Sequence, residues 1–134
     1  MGLLIMVYNS DRFMKICDVP ICAQSVGFTA SFGTFLDHFY HHAELRSYLI
    51  EKEPIKANLP ADEYCLLAAA AHKLAKDYEL FVPPWVMDKK FVMPYPVYGF
   101  DTKNKEFQDA LRATTPAEFS AKNLFFGSKI LSRA

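Results

Sequence analysis

The sequence predicts an all-α fold: a small, irregular helical bundle crossed by an extended strap rich in proline and aromatic residues. Three observations carry this. A chain of 134 residues, 51% of them apolar, is long enough and apolar enough to build one packed core. Apolar residues recur at helical spacing over two long stretches, beginning near Ser31 and Pro60. Four prolines within residues 83–96 exclude a long helix there and favour extended chain.

Residues 1–30 read as an irregular N-terminal arm ahead of one helical domain over residues 31–134. The arm holds an apolar, strand-like run from Leu3 to Tyr8, a turn signal at Asn9-Ser10-Asp11, a mixed run from Phe13 to Ile16, then Pro20 and Gly27. The Leu3–Tyr8 run is far short of the roughly 20 residues that span a bilayer. It also lacks the basic flank and small-residue cleavage site of a secretory signal, so a cytoplasmic protein is expected. Met6 and Met14 offer alternative starts.

From Ser31 the pattern turns helical, with Phe32, Phe35, Leu36, Phe39, Tyr40 and Ala43 on one stripe. The phase slips near His41 to Ala43, and Leu45, Tyr48 and Leu49 continue on a shifted stripe, so two short helices are expected before Pro54 ends the unit. The clearest helix runs from Pro60 to Glu79. Proline and the acidic Asp62 and Glu63 suit its first turn, and Tyr64, Leu67, Ala68, Ala71, Leu74, Ala75 and Tyr78 mark four turns of one face. Ala68 to Ala71 leave room for close neighbours.

The strap follows, with Phe81-Val82-Pro83-Pro84-Trp85 and Phe91 to Tyr98, its aromatics laid across the helices. Phe107, Ala110 and Leu111 mark a short helix. Thr115-Pro116-Ala117-Glu118 reads as a capping box opening another, with Phe119 buried and Asn123 as its C-cap. A tight apolar turn, Leu124 to Gly127, then leads into a last short helix from Ser128.

Composition excludes several function classes. Fifteen basic residues against fifteen acidic ones leave no basic excess for a nucleic-acid binder. Residues 81–134 carry eight basic against five acidic side chains, a surplus too small to argue DNA contact. Cys17, Cys22 and Cys65 are an odd set at spacings that fit neither a disulfide scaffold nor a zinc knuckle, and read as reduced thiols. No glycine-rich phosphate loop and no G-x-S-x-G elbow occurs. No metal or other cofactor is called for. The one metal alternative is the cluster His38, His41 and His42, in which His38 and His42 would share a helix face. It would make a small metal-dependent enzyme, but no glutamate stands where a zinc hydrolase of that spacing needs its base.

Aromatics carry the leading reading. Twelve Phe, seven Tyr and one Trp exceed what a small core needs, and accessible aromatic surface marks an interaction site. Trp85, Tyr95, Tyr98 and Phe126 are the expected partner-binding residues, the partner being another protein or a second copy of the chain.

An ordered set of motifs adds a resemblance. They are Phe35-Leu36-Asp37-His38-Phe39-Tyr40, the long helix ending in Tyr78, Val82-Pro83-Pro84-Trp85-Val86, Thr115-Pro116-Ala117-Glu118-Phe119, Lys122-Asn123-Leu124-Phe125 and Leu131-Ser132-Arg133-Ala134. Over about residues 34–134 the chain resembles uncharacterised small bacterial and phage-borne proteins, similar to the C-terminal region of some helix-turn-helix, antitoxin-like regulators. The resemblance implies a regulatory or partner-binding module and supplies no catalytic residues. This chain lacks a recognisable helix-turn-helix ahead of Phe35, so DNA binding is not expected of it alone.

Overall fold

The computed structural model describes residues 13–133, and most of these are helical, as the sequence predicts. The Leu3–Tyr8 run and the Asn9–Asp11 turn signal lie outside the described residues. The chain divides into two compact units, one ending at Asn58 and the other starting at Leu59.

In the first unit a 3-10 turn, Ile16–Asp18, leads into α1, Val19–Val26, and then α2, Phe28–His41. Residues expected to be an irregular arm are therefore partly helical. Pro20 lies in the first turn of α1, where its missing N–H leaves no bond unmade. Gly27, at φ 90° and ψ 161°, takes a conformation that essentially only glycine adopts and separates α1 from α2. The two residues that look disruptive in the sequence are the two punctuation marks of one short helix.

α2 begins at Phe28, three residues before the expected start, and the buried Ser31 hydroxyl donates to the Gly27 carbonyl at 2.9 Å. Its aromatic stripe is a ladder of rings: Phe28 on Phe32, Phe32 on Phe35 and Phe35 on Phe39, with centroids 5.6 to 6.1 Å apart. Phe35 and Phe39 are fully buried with Ile16, Val19, Leu49 and Ile50. The expected break falls at His42 (φ −129°, ψ 77°), followed by a 3-10 turn, Ala43–Leu45, and α3, Arg46–Ile50. Arg46 secures the break. Its guanidinium donates to the Phe39 and Tyr40 carbonyls at 2.9 and 3.0 Å, satisfying the free end of α2 with a cation, where the helix dipole favours one.

The second unit is built around α4, Ala61–Asp77. Pro60 sits at its N-cap, not its first helical position, with ψ 149°. Its other end is a Schellman motif: Glu79 occupies the left-handed region (φ 56°), Leu80 N–H donates to Ala75 and Glu79 N–H to Lys76. Ala68, Ala69, Ala70 and Ala71 are all fully buried, because the helix is covered on several sides. Two 3-10 turns of the strap, Pro84–Met87 and Lys89–Phe91, pack on it and bury Val86 and Phe91.

The C-terminal third corrects three expectations. Leu124–Phe125 is not a turn but β2, paired in parallel with β1, Val97–Tyr98, in the register Val97 to Leu124 and Tyr98 to Phe125. Proline-rich extended chain leaves backbone groups free, and residues 122–125 take them up. Met93 N–H donates to Lys122, Asn123 Nδ2 to Met93 and Val97 N–H to Asn123, at 2.7 to 3.1 Å. The capping box does not form either. Helix α5, Lys105–Thr114, is followed by α6, Ala117–Ser120, whose N-cap is Pro116 without a side-chain bond. Thr115 instead donates its hydroxyl to the Leu111 carbonyl at 2.6 Å and accepts Gly127 N–H at 2.9 Å, tying α5 to the chain beyond β2. Finally, Ser128 onward forms turns closed by Ser132 N–H on Lys129, not a helix.

Candidate functional site

The strap and α5 together present the aromatic surface. Of the four residues expected there, Tyr95 is 60% exposed. Trp85 is half-buried and stands edge-on to the buried Phe91, with centroids 5.6 Å apart. Tyr98 stacks on Phe125 at 5.4 Å and its hydroxyl accepts from Arg112 Nε at 2.6 Å. The Arg112 guanidinium also lies 4.6 Å from the Phe125 centroid, completing a cation–π stack across the small sheet. Phe126 is half-buried against Gly99, where an added Cβ would lie 3.1 Å from the ring. Three of the four residues thus have packing roles in the second unit, whatever else they touch.

The most exposed aromatics are others. Phe81 is 80% and Phe100 83% exposed. Phe100 also has φ 62° and ψ 13°, a left-handed conformation costing a bulky residue about 1–2 kcal/mol. It stacks on Phe107, itself 42% exposed, with centroids 5.8 Å apart and planes 22° from parallel. Helix α5 explains why Phe107 is free. Asn104 caps it by accepting Phe107 N–H at 2.9 Å, and within the helix Leu111 is the buried residue, so the rest of its apolar face stays open. The spacing of Phe107, Ala110 and Leu111 was a readable sign of that face. What no spacing announces is the left-handed turn that brings Phe100 back over Phe107.

The histidines do not converge on a metal. His38 Nδ1 accepts the Met14 backbone N–H at 2.7 Å, His41 Nδ1 donates to the Asp37 carbonyl at 2.7 Å, and His42 Nδ1 lies 3.8 Å from Glu44. His38 and His42 do share a face, but with ring centroids 6.2 Å apart around the edge-packed ring of Phe13. Among the described residues no group of three or more His, Cys, Asp or Glu side chains is placed to hold a metal ion. An open pocket of about 290 Å³ lies beside His38, lined by Phe13, Met14, Asp18, Ile21, Cys22 and Thr34 as well.

A second polar group, missed in the sequence, lies under α6. Lys122 is only 5% exposed and donates Nζ to the Val86 carbonyl at 2.6 Å, pinning the strap to the end of α6. Burial pushes its pKa down, and burial pushes the Cys65 thiol up, each opposed by the other's charge. His72 is also lowered by burial. Cys17, Cys22 and Cys65 are all free thiols. A lysine set between Phe119 and the apolar run Leu124-Phe125-Phe126 was the available signal.

No family model, curated protein or solved structure matches this chain. No helix among the described residues is long and apolar enough to cross a membrane.

Proposed function

We propose that the chain is a non-enzymatic, cytoplasmic protein-interaction module of antitoxin-like, regulatory character, binding a protein partner or a second copy of itself. The observation that carries this reading is the stacked, solvent-exposed pair Phe100 and Phe107. A soluble monomer gains nothing from holding a phenylalanine in a left-handed turn with most of its ring in water. A partner that buries both rings supplies the missing apolar cover, and aromatic anchors in the middle of an interface carry much of its binding energy. Tyr95 and Phe81 extend the accessible aromatic set on the strap, while Trp85, Tyr98 and Phe126 hold its shape.

The test compares wild type with Phe100→Gly and Phe107→Ala. Glycine at 100 relieves the left-handed turn as it removes the ring, so the fold is retained. Each protein is used as bait in host lysate, and its self-association is followed by sedimentation over a wide concentration range. A protein, or a second copy, held by wild type and released at least tenfold by both variants supports the module. Equal retention by all three, with wild type monomeric throughout, refutes it.

A further inference from the structure

Met14 N–H can only donate, so the His38 Nδ1 that receives it at 2.7 Å carries a lone pair, and the ring is neutral with its proton on Nε2. Phe13, next in the chain, stands edge-on to two imidazoles, 5.6 Å from His38 and 4.7 Å from His42. Phe13 and Met14 also form one wall of the 290 Å³ pocket. His38 therefore touches both wall residues, Met14 through its acceptor nitrogen and Phe13 through an edge-on ring contact.

We propose that His38 is a pH-sensitive latch: as a neutral ring it binds the Met14 backbone and seats Phe13, and on protonation it releases this wall and opens the pocket. Protonated Nδ1 presents N–H to N–H, so the bond is lost and replaced by repulsion. The groups facing His38 set the transition. Burial comes first, and with His42 on the same face it disfavours the charged ring; Asp37 favours it and His41 opposes it. Asp18 and Cys22 line the pocket with His38, from the 3-10 turn and α1, and Glu44 lies beside His42. With the folded pKa below the ordinary imidazole value of about 6.5, the latch is closed at and above that pH and opens as pH falls through the lower folded value.

The experiment is a pH titration of the full chain from 8 to 5 by NMR, reading the His38 ring and the Met14 amide together. The ring should show the Nε2–H tautomer at pH 8. The Met14 protection factor, corrected for intrinsic exchange, should fall about tenfold with the midpoint of His38. In His38→Gln, whose side-chain oxygen accepts the same bond and does not titrate, Met14 should stay protected throughout. In His42→Gln, which removes a like charge, the His38 and Met14 midpoints should rise together. If His38→Gln does not fold, wild type and His42→Gln decide between them. A Met14 amide that stays protected while His38 titrates overturns the latch, as does a midpoint that survives in His38→Gln or fails to move with His38 in His42→Gln.

Discussion

Replacing Lys122 by methionine tests how a charged group is tolerated inside the second unit. The stem is nearly isosteric, so the perturbation is confined to the ammonium. Two effects oppose each other. Losing the 2.6 Å bond strands the Val86 carbonyl, which costs about 1–3 kcal/mol. Removing a cation that is 5% exposed and joins no ion pair among the described residues relieves a desolvation penalty of several kcal/mol. At neutral pH the second effect wins, and Lys122→Met should be more stable than wild type by about 1–2 kcal/mol. The sign with pH is firmer still. Burial lowers the Lys122 pKa, so between that folded value and about 10.4 the unfolded chain holds one more proton than the folded one. Wild-type stability therefore rises with pH across that window, by about 1.4 kcal/mol per pH unit at most, while the variant lacks this gain. Cys65 works the other way, since its raised pKa costs stability as pH rises, and losing the Lys122 charge that opposes this rise makes the cost larger in the variant, which narrows the gap further. Urea denaturation at pH 7, 8, 9 and 10, followed through Trp85 beside Val86, measures the gap. The gap should shrink once the pH passes the lowered folded pKa of Lys122. A gap independent of pH, or a variant less stable by 3 kcal/mol at pH 7, would refute the reasoning.

Two further substitutions probe the scaffold under the aromatic surface. Glu79→Gly should stabilise the second unit by about 1 kcal/mol, because Glu79 holds φ 56° at the Schellman position where glycine carries no Cβ penalty; a shift in urea midpoint at unchanged slope is the readout. Trp85→Ala should destabilise the same unit by about 1–3 kcal/mol, since the indole is half-buried and edge-on to Phe91, and unchanged stability to urea, read by far-ultraviolet circular dichroism, would return Trp85 to the surface set.

What the sequence made legible was periodic. The α2 ladder, the break at His42 and the whole of α4 follow from apolar spacing, because burying a stripe is what fixes a helix in place. Signals resting on one or two residues misled where a tertiary partner competed for the same group. Thr115 is positioned to cap α6, but its hydroxyl is worth more bridging Leu111 and Gly127. Leu124 and Phe125 look like a turn because their strand partner lies 27 residues away and is read as a strap of prolines. Pro20 and Gly27 look like parts of an irregular arm because eight residues are too few to show a period between them. The site was legible to the same extent. That the strap carries accessible aromatics could be read from excess Phe and Tyr. How much of each ring is covered could not, since Trp85, Tyr98 and Phe126 find neighbours in Phe91, β2 and Gly99 that only the fold brings near.

A left-handed residue is not by itself a sign of function. Glu79 and Asn123 have the same backbone as Phe100, and each closes or links a structural element where it stands. The difference lies in the side chain. Glu79 is polar and exposed, and Asn123 spends its amide on the Met93 carbonyl, so neither leaves a side chain wanting burial. Phe100 adds to about 1–2 kcal/mol of backbone cost a ring that is mostly in water, and its stack on Phe107 returns only about 0.5–1.5 kcal/mol. Within the folded chain those terms at best cancel. Fully burying a phenylalanine is worth about a further 1.5–3 kcal/mol, enough to turn the balance clearly favourable. Trp85, by contrast, is already half-buried against Phe91, while Phe100 stays 83% exposed at the turn between the strap and α5.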